Sequence, residues 1–265
     1  ARSGHGPPSG SAPPAVEGPV AAWATVGLGL PGGRTLRVRA GDAEARLRVD
    51  DPGLDPALAL WLDGERPTDD RSAARHAVRE LPSTIPRTAT GPRPPALSFD
   101  GLDDRIVVDG LGYGGDAGFT VAFWFSAPPV PAPDHRYLYS HGRIAERGSL
   151  NVYLTRRGRL RTALRGRRDR PRLSALDAGE RDLRDGAFHH YALVVRPGPL
   201  ATIFLDGRPV VEAARGLPLG RPRTRLHLGG RHDLAPDREL GGALDEVKVW
   251  RRPLSWDEVA REAVR

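Results

Sequence analysis

Nine arginines fall within the 17 residues RRGRLRTALRGRRDRPR, 156–172, against one acid, Asp169. Strand alternation predicts Arg159, Arg161 and Arg165 on one face, with Leu160 and Leu164 on the other. Arg167, Arg168, Arg170 and Arg172 would follow on the adjoining turn. Such a stripe attracts sulfate, uronate or phosphate groups, and planar guanidinium groups suit two-point contacts with them. Arginine is also the default cation of this chain: it supplies 39 of the 40 basic residues, with Lys248 the single lysine, and the net charge is +7. The stripe therefore also reads as the solvated face of an arginine-biased chain. Nucleic acid fits it less well, because no aromatic residues interleave with the basic positions.

Acidic residues stand where strands meet turns. In ALSFDGLDDRIVV, 96–108, Leu97 and Phe99 alternate with small or polar neighbours, and Asp100-Gly101 breaks the run. In GGALDEVKVW, Val247 and Val249 share a face, with Asp245 at its start. Catalytic patterns are absent: the chain has no G-x-S-x-G, no phosphate-binding P-loop and no H-E-x-x-H. Ser140 and His141 are adjacent, so on a strand their side chains point to opposite faces and cannot act as nucleophile and base. His189-His190 precedes Tyr191 in an apolar strand, where core or strand-surface roles are expected.

These groups need a scaffold, and its elements are legible. The 265 residues contain no cysteine, so disulfides play no part, and no apolar run approaches the ~20 residues of a membrane span. Methionine is absent even at position 1, which suggests a processed start. Residues 1–19 are rich in Gly, Pro and Ser and read as a flexible leader. Residues 20–55 hold RTLRVRA and EARLRVD around Ala40-Gly41-Asp42, an accessory β-hairpin or attachment segment. Residues 56–265 form the main domain. Strands are expected at LALWLD, GFTVAFWFSA, RYLYSH, GSLNVYL, GRLRTAL, AFHHYALVV, LATIFLD and TRLHL, with Asp206-Gly207 turning into RPVV. The polar stretch 64–95 is long for a loop, and RSAARHAVRE, 71–80, has the composition for one or two helical turns. Ser255 with Glu258 three residues on marks the start of a C-terminal helix.

Several of these segments, LWLDGE, FDG, GFTVAFWFSA, AFHHYA, FLDGRPVV and DEVKVW…RPLSWDEVA, together resemble the bacterial laminin-G-like jelly roll of the concanavalin A-like sandwiches, from about Leu58 to Val264. Leu62 stands where that pattern has Phe. The resemblance implies an all-β, two-sheet antiparallel jelly-roll sandwich whose first and last strands are neighbours. It implies a calcium ion held by Asp63, Asp100 or Gly101, and Asp245, three strand ends gathered by the fold; hard cations take oxygen ligands of this kind. Asp100 and Asp103 also read as plain turn residues. Hydrolases of this fold carry E-x-D-x-x-E along one strand, and the chain has no such string. The expected function is a non-catalytic adhesion or binding module, secreted or at the cell surface, for a glycan, acidic ones included, or for a protein partner, with Arg159, Arg161, Arg165, Arg167, Arg168 and Arg170 as the contact. The alternatives are a structural subunit that decorates a larger assembly such as a fibre or phage-tail-like particle, and a glycosidase-like enzyme.

Overall fold

The computed structural model describes residues 35–40, 43–48, 55–82, 84–115, 117–143, 148–165, 173–198, 200–214, 222, 224–234 and 237–264. The chain divides into two units, Ala1–Asp51 and Pro52–Arg265. In the first, β1 (Thr35–Ala40) and β2 (Ala43–Arg48) pair as an antiparallel hairpin.

The second unit is a two-sheet sandwich. Its strands are β3 (Leu58–Leu62), β4 (Val78–Leu81), β5 (Arg87–Thr88), β6 (Ala96–Asp100), β7 (Arg105–Val108), β8 (Phe119–Ser126), β9 (Arg136–His141), β10 (Leu150–Leu154), β11 (Leu160–Arg165), β12 (Leu173–Asp177), β13 (His189–Arg196), β14 (Leu200–Leu205), β15 (Arg208–Ala214), β16 (Leu226–Leu228) and β17 (Gly241–Trp250). One helix follows, α1 (Trp256–Glu262). The seven-stranded sheet runs β12-β11-β10-β9-β16-β7-β4. The eight-stranded sheet runs β15-β14-β13-β8-β17-β6-β5, with β3 also on β17. All pairings are antiparallel.

Alternation explains the layers. Phe119, Val121, Phe123 and Phe125 of β8 point inward with Leu97, Phe99, Leu193, Val247 and Val249. They meet Ile106, Val108, Leu138, Val152, Leu160 and Leu226 from the seven-stranded sheet. Buried tyrosine hydroxyls in this core find partners: Tyr139 donates to Tyr113 at 2.8 Å, and Tyr191 pairs with Thr162 at 2.8 Å. The outer face of the eight-stranded sheet is covered by α1, whose Val259 packs with Leu58, Trp250, Phe204 and Leu254. Ser255 caps that helix through both halves of a capping box.

The stretch 96–108, broken at Asp100-Gly101, is two strands in different sheets. β6 lies on β17 and β7 on β16, so Asp100–Asp104 is the corner where the chain changes layers. Gly101 turns there with φ +82, and a side chain on it would meet the backbone of Gly241 at 3.2 Å. The helical turns expected at 71–80 do not form. Asp70 takes the backbone N–H groups of Trp61, Ser72 and His76, at 3.1, 2.9 and 2.8 Å, and the segment enters β4 instead.

Candidate functional site

β17 is the seam of the molecule. One of its edges pairs with β8; the other takes β6 from Gly241 to Leu244 and then β3 from Val247 to Trp250. The first and last sandwich strands are therefore side by side, as the resemblance implies. Where β6 gives way to β3 the register slips, and Glu246 adopts φ +49, a left-handed conformation strained for a residue with a side chain. Asp245 and Glu246 stand at the gap between the two partner strands.

This register separates the four residues proposed for a metal. Asp63 and Asp245 meet at the gap, but Asp100 and Gly101 lie at the far end of β6, with Asp100 opposite Gly241. Four residues of extended strand put about 13 Å between Asp100 and the gap. At the gap the carboxylates are already committed. Asp63 accepts from the Arg66 backbone N–H at 3.0 Å and is ion-paired with Arg71. Asp245, wholly buried, accepts from the N–H groups of Glu246 at 2.9 Å and Arg93 at 3.1 Å. Burial, then the charge of Glu246, push the Asp245 carboxyl up to about 7, against the pull of those N–H groups. Positive charge is supplied by side chains: Lys248 and Arg93 pair with Glu246 at 2.8 and 3.0 Å, and Arg71 stacks 4.0 Å over Trp61. With Arg71, Arg93 and Lys248 already supplying positive charge, the gap does not fit a calcium ion, which needs six to eight oxygen ligands. At the corner Asp100, Asp103 and Asp104 bring carboxylate oxygens within 4.8 Å of one another, and there too Asp100 accepts from the Leu102 N–H at 2.8 Å and Asp104 from the Asp100 N–H at 2.9 Å.

The arginine stripe is opposed by acids from beyond its own segment. Arg161 and Asp177 face each other across β11 and β12, and the Arg161 guanidinium donates to Asp177 through two nitrogens, at 2.5 and 2.7 Å. Arg159 pairs with Glu180. Arg165 is described only in its backbone, and Arg167, Arg168, Arg170 and Arg172 lie outside the described residues.

Sequence reasoning missed a polar layer on the outer side of the seven-stranded sheet, most of it buried. Ala163, Asn151, Ser140, His227, Val107 and Arg79 stand opposite one another in a single row from β11 to β4. A second row brings Arg161, Tyr153 and Tyr137 together. His135 and Tyr137 stack on Tyr153 with ring centroids 4.9 and 5.0 Å away, and Arg231 lies 5.9 Å over Tyr137. Ser140 donates to Asn151 Oδ1 at 2.7 Å and accepts from the His232 backbone N–H at 3.2 Å, whereas His141 points into the core, its Nδ1 3.1 Å from the Tyr113 hydroxyl. Buried polar atoms are almost always bonded. Here Asn151 Nδ2, His227 Nδ1, Arg231 Nε and His135 Nδ1 are buried without a hydrogen bond to the protein, though His135 Nδ1 lies 3.8 Å from Asp134. Burial, reinforced by the charge of Arg105, lowers His227 to about 4 and keeps it neutral at pH 7.

The nearest carboxylates are held by arginines. Arg238 pairs with Asp134 at 2.8 Å, and Arg105 with Glu239, both almost fully buried. Burial favours protonated Asp134, but the His135 N–H and the Arg238 charge outweigh it and hold the group below the usual carboxylate range. The bond from Arg161 does the same for Asp177. A general acid requires the opposite shift. On the other sheet, His189 sits between Asp206 at 3.0 Å and Asp185 at 3.1 Å, and His190 packs on Trp124.

The sequence pattern of the concanavalin A-like lectin/glucanases superfamily matches residues 100–260, and the chain belongs to that family. Among solved structures, the binding domain of Paraclostridial Mosquitocidal Protein 1 is similar, with 13% identity and a TM-score of 0.61 over 78% of this chain and 52% of that one. The receptor binding domain of botulinum neurotoxin D is similar at 11% identity, TM-score 0.61, over 78% and 52%. A structure of botulinum neurotoxin type C, which gets into cells through interaction with two ganglioside molecules, is similar at 9%, TM-score 0.60, over 80% and 52%. This chain spans about half the length of each, and at these identities the likeness is one of fold. No curated protein sequence matches. No described helix is long and apolar enough to cross a membrane.

Proposed function

We propose that this chain is a non-catalytic recognition module that holds a carbohydrate against the outer face of the seven-stranded sheet, within a secreted or surface-associated protein. One observation carries the reading: the carboxylates along that face, Asp134 and Asp177, are tied to arginines, and the Arg161–Asp177 pair stands partly exposed at its rim. Hydroxyl groups of a sugar can donate to the carboxylate and accept from the guanidinium of such a pair, and carboxylates tied in this way suit holding better than cutting. Membership of a superfamily that includes lectins supports the same reading. Recognition would run through hydrogen bonds, because the Tyr153 ring already stacks with His135 and Tyr137.

A glycan array with the purified chain tests it, followed by titration of Arg161→Gln, at the partly exposed rim of the face, against the best ligand. Loss of one or two hydrogen bonds should weaken binding about tenfold with the melting temperature little changed. A folded chain that retains no glycan, or equal affinity in the variant, rejects the reading. Calcium is kept only at the corner, where Asp100, Asp103 and Asp104 would hold it. Melting temperatures that agree in calcium and in EDTA remove it.

A further inference from the structure

We infer that the ammonium of Lys248 does at the seam what a metal ion would do, so that the tie between the first and last sandwich strands is free of metal. The family resemblance implies a calcium ion between those strands, and the gap does not fit one. The cation found there is carried by the chain itself. Lys248 of β17 lies opposite Trp61 of β3, and its amine is held by Glu246 at 2.8 Å and by Glu262 of α1 at 2.7 Å. It also lies 5.3 Å from the centre of the Trp61 ring. Arg93, between β5 and β6, reaches the same Glu246 oxygen at 3.0 Å, and the Trp61 indole N–H points to the other oxygen, 3.4 Å away. This cluster gathers β3, β17, α1 and the connection before β6, as the ligands of one metal would. Glu246 keeps its left-handed φ of +49 within it.

The residue type supports the assignment. Arginine fills 39 of the 40 basic positions, so the one exception asks for a reason. An ammonium is a compact point charge with three donors on a thin stem, whereas a guanidinium is a wider, planar fork. Lys248 is buried, with Trp61 and Ala122 as its cross-strand neighbours and Glu262 above it. That enclosure suits the compact group and leaves a fork no solvent to spread into. Burial works against the charged amine, but Glu246 and Glu262 outweigh it and raise the amine above the usual lysine range.

Melting followed by circular dichroism, in calcium and in EDTA, tests the inference. The parent should melt alike in both, or show a calcium shift that Asp103→Asn, an exposed change at the corner, abolishes. A calcium shift that survives in Asp103→Asn overturns the inference. Lys248→Arg keeps the charge, yet it should melt about 10 °C lower, because the fork leaves the buried carboxylates badly paired. An arginine variant that melts with the parent overturns the assignment to an ammonium. Lys248→Ala should regain several degrees in propylammonium chloride, which supplies the missing group, and none in sodium chloride of equal strength. The parent should gain nothing from either salt. A folded alanine variant that propylammonium does not stabilise overturns the inference. If that variant does not fold, Glu262→Gln, at a partly exposed position, decides: it should melt lower by the same amount in calcium and in EDTA, and melting with the parent overturns the inference.

Discussion

Asp70 shows how one buried carboxylate can set the course of a long connection. It is 1% exposed and accepts from three backbone N–H groups, from Ser72 Oγ at 2.9 Å and from His76 Nδ1 at 2.7 Å. Burial works against the ionised form, but the His76 side chain and those N–H groups outweigh it and lower the carboxyl to about 2. Because the unfolded chain titrates near 3.9, the stabilisation is fully present above about pH 4 and is lost as the pH falls through 2. Asp70→Asn should therefore cost on the order of 2 kcal/mol at neutral pH, and urea midpoints for parent and variant should converge between about pH 4 and 2. A gap independent of pH would show that the charge is not what holds the segment. The sequence could not reveal this hub. Its composition favours helix at 71–80, and only the fold brings the N–H of Trp61 to a carboxylate nine residues away.

Among the elements, the strands were readable and their lateral order was less so. The alternation in GFTVAFWFSA and the apolar run of LALWLD announce β8 and β3, and the resemblance of DEVKVW supplied their shared neighbour. What alternation cannot carry is register. Asp100 reads as a partner of Asp245 until the pairing of β6 with Gly241–Leu244 puts a strand's length between them. Likewise Asp177 stands in LSALD, a segment with too weak a pattern to be read as a strand, so the acid facing Arg161 stayed hidden. The row of Asn151, Ser140 and His227 joins three strands whose order in the sheet differs from their order in the chain. The C-terminal helix was fully legible, because capping chemistry is local. Ser255 caps seven residues that carry Val259 onto the eight-stranded sheet, so Ser255→Ala should cost about 1 kcal/mol in chemical denaturation. An unchanged midpoint would mean that packing alone keeps the helix in place.

For the molecule as a whole, β17 is the strand on which folding depends. It is the common neighbour of β3, β6 and β8, partners lying more than a hundred residues earlier in the chain. Contacts of that separation make an all-β sandwich a slow folder and leave its early strands without a stable edge until the last segment arrives. A chain ending at Leu240 should accordingly show no cooperative melting by circular dichroism, even though every strand of the seven-stranded sheet is present. A sharp transition in that fragment would mean that the sheets can close without their seam.

Lys248 lies in this seam at 1% exposure, its amine held by Glu246 and Glu262 at 2.8 and 2.7 Å. It is the one lysine in the chain. The native surface of the sandwich thus offers acylating or cross-linking reagents no ε-amine, and tagging at Lys248 would time-stamp the moments when α1 lifts away from the sheet beneath it.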